Sequence, residues 1–535
     1  MPVLLMSLPA RVKPCSFSPA RELSFLPAPV RSYLQGEDVW RPYLPPRKSL
    51  REDIADALAK KTFPNSTREH LVAVLLRQKA ACPSAHPLLE RLSRPNCYVV
   101  TTGHQPVLMG GPLFFWFKIA GALLLARQCR LWFPDKDFVP VFWLAGEDHD
   151  LAEVFSFHGP DGRQHAWLPP DGYQGAAGRY PAHPLWGWLK DEIQTMPGIL
   201  SHPWYPALER AFRGAQNLNA ATLAWLDDIW APQGLLTINP DDPELKGLFK
   251  PWFRQELEEP FVAQGLAESR LFFDQHGFKT QLQGRPLSIF YLHPQARMAL
   301  EPIAPGQFAA GTARFSIEEL MADVGQLSPN AALRPLYQEA VLPNVAYVGG
   351  PAEMHYWLQL SPVFNKAGLP MPALVLRPMG AGIPQSLCHL MHTTGLKAAD
   401  LSSSADSWIQ KLALREDTLS KSLETEHRHI QEALDRIRKL LSQVEPPLER
   451  SGLAALKRWE NAWHKLRALP TRTWKRRHAE QILDLKALEY WIYPDGIFQE
   501  RRLSIWDMAF LQDAQKLLNL FDPFTEEGFW IFTFS

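Results

Sequence analysis

The sequence predicts an α/β protein: a parallel-sheet core, connecting insertions and an α-helical coiled-coil arm. Two observations carry the core. Two short, almost wholly apolar runs, Tyr98–Thr102 and Val139–Ala145, enclose a long apolar stretch, as a βαβ unit with strands buried on both faces requires. The same pattern returns downstream, where Val345–Val348 leads into Gly349-Gly350-Pro351, a helix from Ala352 and another apolar run, Ala373–Arg377. The arm rests on a third observation. Leu423, Ile430, Leu434, Ile437, Leu441 and Val444 keep a mostly three/four alternation among many charges, a heptad-like stripe.

Taken in order, residues 1–95 read as an N-terminal segment packing on the core, with a charged helix near Arg51–Lys61. Met1–Leu8 is apolar but reaches Pro9 and Arg11 without a signal-peptide h-region, so no secretory leader is expected. Residues 96–156 form the first half of the core. Val107–Ala126 approaches the length of a membrane span, but Gly110-Gly111-Pro112 breaks it and Lys118 interrupts the remainder. The remaining stretch of about 14 residues, ending near Arg127, suits a buried core helix and no membrane association. Residues 157–330 read as an insertion, with helices at Asn217–Trp230 and Pro243–Gln264 and a strand at Leu287–Leu292. Residues 331–405 supply the second half of the core and 406–495 the arm. Within the arm, Glu445-Pro446-Pro447 separates the first stripe from a second, Leu453, Leu456, Trp459, Trp463 and Leu466. An intramolecular helix pair or a homodimer through these stripes fits equally. Residues 496–535 return to the core.

Composition bounds the function. The chain has 535 residues with 56 Lys+Arg against 56 Asp+Glu, and this balance disfavours a nucleic-acid partner while permitting a local anion pocket. Apolar residues at 46% and charged at 21% describe an ordered globular protein. The 48 prolines have no repeat and punctuate connections. Five dispersed cysteines without a C-x-x-C predict neither a disulfide framework nor a structural metal site, and fit a reducing, cytoplasmic setting. Cys97 and Cys129 flank the βαβ unit away from the strand ends and are expected to be structural.

Ligands of open parallel sheets bind beyond the carboxyl ends of strands, and three polar clusters stand there. In Thr102-Gly103-His104-Gln105 the glycine permits a tight turn, and His104 and Gln105 offer donors to an anion. Neither a G-x-G-x-x-G nor a P-loop is present, and no G-x-S-x-G elbow exists. Gly146-Glu147-Asp148-His149-Asp150 places three carboxylates and an imidazole behind an apolar strand. Glu147, Asp148, His149 and Asp150 are candidates for a general base, an ammonium anchor or a Mg²⁺ site; an acidic helix N-terminus would account for the same residues. In Gly349-Gly350-Pro351-Ala352-Glu353 the glycines allow close ligand approach, and Glu353 either holds an amine or caps its helix. His355 and Tyr356 are expected to pack, and Arg334 and Arg377 are candidate carboxylate ligands.

At these clusters the sequence resembles the bacillithiol biosynthesis protein BshC family, a family of cysteine ligases. The matching blocks are Thr102–Gln105 with Gly111-Pro112-Leu113 and Lys118; Val139–Asp150; Leu342-Pro343 with Tyr347–Glu353 and Tyr356–Gln359; and Tyr493-Pro494, Gly496 and Gln499–Arg501. The resemblance implies a Rossmann-like core akin to nucleotidyltransferases and a coiled-coil region able to form a homodimer. Gly103-His104-Gln105 falls where that fold carries a His-x-Gly-His motif. The implied activity is the last step of bacillithiol synthesis, joining cysteine to the amine of glucosaminyl malate. Amide formation from a free carboxylate needs activation, so ATP or ADP is the expected nucleotide, with Mg²⁺ as companion and no tightly bound organic cofactor. A non-catalytic metabolite-binding scaffold, or a nucleotidyltransferase acting on another small molecule, would use the same clusters.

Overall fold

The computed structural model describes residues 12–196, 198–416, 418–443, 446–467, 469–508, 511 and 513–534. Met1–Leu8, Val444 and Glu445, each used in the sequence reading, lie outside them. Two compact units emerge: the described residues up to Gly380 with Gln499–Phe532, and Ala381–Phe498 with the last residues of the chain.

In the first unit, α1 (Leu50–Lys60) is followed by β1 (Cys97–His104), α2 (Leu113–Trp132) and β2 (Asp137–Leu144). Then come α3 (Leu151–Val154), α4 (Leu218–Trp230) and β3 (Leu236–Ile238). A small antiparallel sheet contains β4 (Ile289–His293), β5 (Ala296–Ala299) and β6 (Leu327–Pro329), in the order β6-β4-β5. The chain continues through α5 (Arg334–Val341), β7 (Asn344–Gly349), α6 (Pro351–Leu358) and β8 (Ala373–Leu376).

The central sheet has five parallel strands in the order β8-β7-β1-β2-β3. Counted along the chain, this is the 3-2-1-4-5 arrangement of a Rossmann-like fold, whose order reverses between β1 and β7. The two strands are joined beyond the backbone ladder, since Thr102 Oγ1 donates to the Val348 carbonyl at 2.7 Å and Thr101 Oγ1 to Asn344 Oδ1 at 2.8 Å. Segment 157–330 therefore does more than decorate the core, because its β3 pairs with β2 from Leu236↔Val141 to Ile238↔Trp143. Three residues carry too little periodicity to stand out in a sequence.

From Phe115 to Ala126 helix α2 is buried on every side and, Lys118 apart, apolar around its circumference. It runs to Trp132, past Arg127, because Cys129 on its last turn is itself buried. Its entry turn demands glycine at 110, where φ is +74° and a Cβ would lie 2.3 Å from the Trp116 ring. The helix expected over Pro243–Gln264 is divided into Pro243–Leu248, Lys250–Glu258 and Phe261–Gln275. Pro251 and Pro260 prevent a continuous hydrogen-bond ladder. Among the described residues no helix is long and apolar enough to cross a membrane.

The second unit is helical: α7 (Gln385–Thr394), α8 (Ala405–Glu416), α9 (Thr418–Leu441), α10 (Pro446–Arg467), α11 (Leu469–Arg477) and α12 (Ala479–Ile492). α9 and α10 form an antiparallel hairpin, held by an Arg438–Glu460 ion pair and a Trp463 Nε1 donation to His427 Nδ1 at 2.8 Å. The stripes are only partly covered within the unit, with Ile437 41%, Leu453 39% and Trp459 45% exposed.

Gly121 decides how closely α2 approaches the exit of β8, since a Cβ there would lie 2.5 Å from Pro378 Cδ and 3.1 Å from Val348 Cγ1. Gly121→Val is therefore expected to destabilise the first unit by about 1–3 kcal/mol through overpacking. A thermal-unfolding midpoint at or above wild type would show that this approach is not tight.

Candidate functional site

The exits of β1 and β7 open into a cavity of about 640 Å³ at the point of strand-order reversal. Its hub is Lys118, a single cation on the buried face of α2. Lys118 Nζ lies 2.6 Å from Glu353 Oε2 and donates to the Gly103 carbonyl at 3.1 Å. Glu353 Oε2 also accepts from Gly350 N at 2.8 Å, while Oε1 accepts from Tyr347 Oη at 2.6 Å. Burial disfavours the Glu353 carboxylate, but Lys118 and these donors hold its pKa down to about 2. Burial pulls Lys118 downward as well, with Glu353 opposing it. The result is a charged pair joining the turns that follow both strands.

His104 sits beside this hub. Burial first, and then the Lys118 charge, push its pKa down to about 3, so it is neutral. Its Nδ1 lies 3.2 Å from the Gln105 carbonyl, which can only accept, so Nδ1 carries the proton and Nε2 is an acceptor. The Gln105 side-chain amide donates to Asp148 Oδ2. Asp148 Oδ1 accepts from His149 N at 2.7 Å and Asp150 N at 3.1 Å. Burial works against this carboxylate, yet the Gln105 and backbone donors keep it below the usual range.

The other residues of this acidic cluster are placed differently. Glu147 is buried and paired to Lys246, which also holds Asp241 at 2.8 Å, and Ser328 Oγ donates to Glu147 Oε2 at 3.2 Å. Burial raises the Glu147 pKa against the pull of Lys246. His149 Nδ1 faces Arg297 Nη1 at 3.0 Å, and burial and that guanidinium lower its pKa. Because Arg297 can only donate, His149 Nδ1 is occupied as an acceptor and the ring proton lies on Nε2. Asp150 caps α3, accepting from Glu153 N at 3.1 Å. This turn brings Glu153 into the lining, and burial and the negative Asp150 and Asp148 raise its pKa.

Phe114 marks a cationic end of the cavity. Its ring centroid lies 5.9 Å from Lys118 Nζ, 5.5 Å from Arg377 Cζ and 5.6 Å from Arg501 Cζ. Arg377 is gripped by Glu500 through both terminal nitrogens, while its buried Nε makes no hydrogen bond. A Cβ at Gly350 would stand 3.4 Å from that Nε, so glycine leaves the approach open. Arg334 Nη2 donates to Tyr356 Oη at 2.9 Å, and among the described residues no carboxylate forms an ion pair with it.

Of the residues singled out in the sequence, Gly103, His104, Gln105, Glu147, Asp148, His149, Arg334, Gly350, Glu353 and Arg377 line this one cavity. Thr102, Asp150 and Gly349 do not: Thr102 bonds across the sheet, Asp150 caps a helix, and the Gly349 carbonyl accepts from Arg377 N at 2.8 Å. Tyr356, expected only to pack, faces the cavity, whereas His355 is bound to the Lys279 carbonyl at 2.8 Å. Lys118 stood out in the sequence only as a charge within an apolar stretch and as part of a matching block, and Arg501 only as part of a matching block. Arg285, Arg297 and Glu153 carried no signal, because ordinary charged residues become informative only when the fold turns them inward.

Residues 27–378 match the family described as "Bacillithiol biosynthesis BshC, N-terminal Rossmann-like domain", and 383–534 match "Bacillithiol biosynthesis BshC, C-terminal coiled-coil domain". Three relatives share the name "Putative cysteine ligase BshC". The Cytophaga hutchinsonii protein is 30% identical over 485 residues, 88% of this chain and 90% of the relative. That of Chlorobium phaeobacteroides is 26% identical over 82% of this chain and 83% of its own. That of Salinibacter ruber is 29% identical over 78% and 79%.

Ionised Glu353 contributes stability that is complete above its ordinary pKa of 4.5 and is lost as pH falls toward about 2. The stability difference between wild type and Glu353→Gln, from urea unfolding at stepped pH, is expected to be flat above 4.5 and to shrink below it. A difference that widens on acidification would contradict the pairing with Lys118.

Proposed function

The chain belongs to the bacillithiol biosynthesis BshC family, and from that premise we propose that it is a cytoplasmic ligase joining the carboxyl group of cysteine to the amine of glucosaminyl malate. ATP is the proposed source of activation. The supporting observation is a cavity at the strand-order reversal that sets guanidiniums without carboxylate partners beside the Asp148 and Glu153 carboxylates.

The reaction divides into two steps. Attack of the cysteine carboxylate on the α-phosphorus of ATP gives an acyl-adenylate and expels pyrophosphate. The amine then attacks the acyl carbon, forming the amide, releasing AMP and giving up a proton. Lys118, Arg334, Arg377 and Arg501 serve the anionic groups, where a low-dielectric setting strengthens charge-assisted hydrogen bonds. The backbone N–H groups of Ala352 and Glu353, which follow Pro351 in the first turn of α6, extend the same surface. Asp148, held ionised, anchors the incoming ammonium. Glu153, whose pKa is raised, takes its proton. His149 does not fill that role, since its Nδ1 already accepts from Arg297. Neutral His104 presents Nε2 as an acceptor and adds no positive charge. Mg²⁺ would enter with the nucleotide, because such ions are usually held by substrate phosphates and one or two carboxylates.

The direct test combines purified protein with cysteine, glucosaminyl malate and ATP-Mg²⁺, and follows the amide product by mass spectrometry. Product is expected. Its absence alongside tight binding of the substrates would favour the scaffold reading. Glu153→Gln should lower kcat by roughly a hundredfold and remove the acidic limb of the wild-type pH–rate profile. That limb should lie above pH 4.5, with activity rising as Glu153 deprotonates. An unchanged profile would assign the base elsewhere.

A homodimer through the helical hairpin is part of the same proposal, supported by the exposed apolar positions on α9 and α10. Leu453→Glu with Trp459→Glu is expected to give a monomer by analytical ultracentrifugation under conditions where wild type sediments as a dimer. A monomeric wild type would remove this part of the reading.

A further inference from the structure

The small antiparallel sheet brings a second cationic group to the same cavity. Phe290 on β4 has the Arg297 guanidinium 4.0 Å from its ring centroid and that of Arg285 at 5.5 Å. Arg297, on β5, is locked in place: Nε donates to Ser328 Oγ at 3.0 Å, Nη2 to the Pro329 carbonyl at 2.9 Å and Nη1 to His149 Nδ1 at 3.0 Å. Every one of these acceptors is neutral, and among the described residues no carboxylate forms an ion pair with Arg297 or Arg285. The loop carrying Arg285 is also fixed, since Gln359 Oε1 accepts from Gln281 N at 2.7 Å and Leu282 N at 2.9 Å. The Glu147 and Asp148 carboxylates act on Arg297 only from beyond direct contact, so its desolvation is only partly offset by them and by the one aromatic face.

We propose that Arg285 and Arg297, gathered on Phe290, form a second oxyanion subsite of the cavity, separate from the cationic group around Phe114. Its ligand is a phosphate or carboxylate group, either of which matches the planar guanidinium donors. The two cationic groups have different nearest charges. Lys118 responds to Glu353, Arg377 and Arg334, whereas Arg297 responds to Glu147, Asp148 and Arg285. The proposal rests on the ligase reading for the source of the oxyanion. That reaction handles a polyphosphate in its first step and a malyl dicarboxylate in its second, and separate subsites keep the two anions apart.

Isothermal titration calorimetry on the full chain, with inorganic pyrophosphate and L-malate as separate probes, tests this. Arg285 is exposed, so Arg285→Ala is expected to fold normally; Arg297→Lys keeps the charge but removes the fork. Both should weaken one probe by about tenfold or more and leave the other within about twofold, while Arg501→Ala at the Phe114 group does the reverse. Loss of pyrophosphate binding in Arg285→Ala identifies a phosphate subsite, and loss of malate binding a carboxylate subsite. Wild-type affinity for both probes in Arg285→Ala, weakening of the same probe in all three variants, or no binding of either probe by wild type would overturn the proposal. Failure of the ligase reading would appear differently, as intact subsite discrimination without amide product.

Discussion

The buried Lys118–Glu353 pair is the constraint on which the site depends. Lys118 projects from the apolar α2 and touches the last turn of β1, whereas Glu353 binds the first turn of α6 and a tyrosine from β7. One ion pair thus fixes both turns at the point where the strand order reverses. Neither charge is stable alone at that depth. Removing either partner would leave an uncompensated charge under the cavity floor, so the pair is coupled to the helix packing, and Gly121 on α2 is part of the same close fit.

Around that hub, electrostatics is arranged by sign. The chain is neutral overall, with 56 cations against 56 anions, but around the cavity some charges are paired and others are not. Glu147 and Asp241 are balanced by Lys246 and Arg179, and Arg377 by Glu500. Arg285, Arg297, Arg334 and Arg501 reach the cavity without a direct ion pair among the described residues. Asp148 and Glu153 stand among them with pKa values moved in opposite directions by their surroundings. Two carboxylates of similar chemistry are thereby biased in opposite directions, Asp148 toward the ionised form and Glu153 toward the protonated one.

The sequence by itself determined the main strands, the central helix and the polar clusters at the strand ends. Those features are local: a strand buried on both faces must be an apolar run, and a turn exposing backbone to a ligand favours glycine. It also carried the family resemblance through contiguous blocks such as Val139–Asp150. Other assignments could not be local. Whether Glu147 is a free carboxylate or one arm of a buried triad depends on Lys246 and Asp241, brought to it by a distant part of the chain. The edge strand β3 is too short to announce itself, and Arg297 resembles any surface arginine until β5 and β6 turn it inward. Only the tertiary structure decided the strand order, the inward arginines and the protonation state of each acidic group, because each depends on burial and on charges supplied from far along the chain.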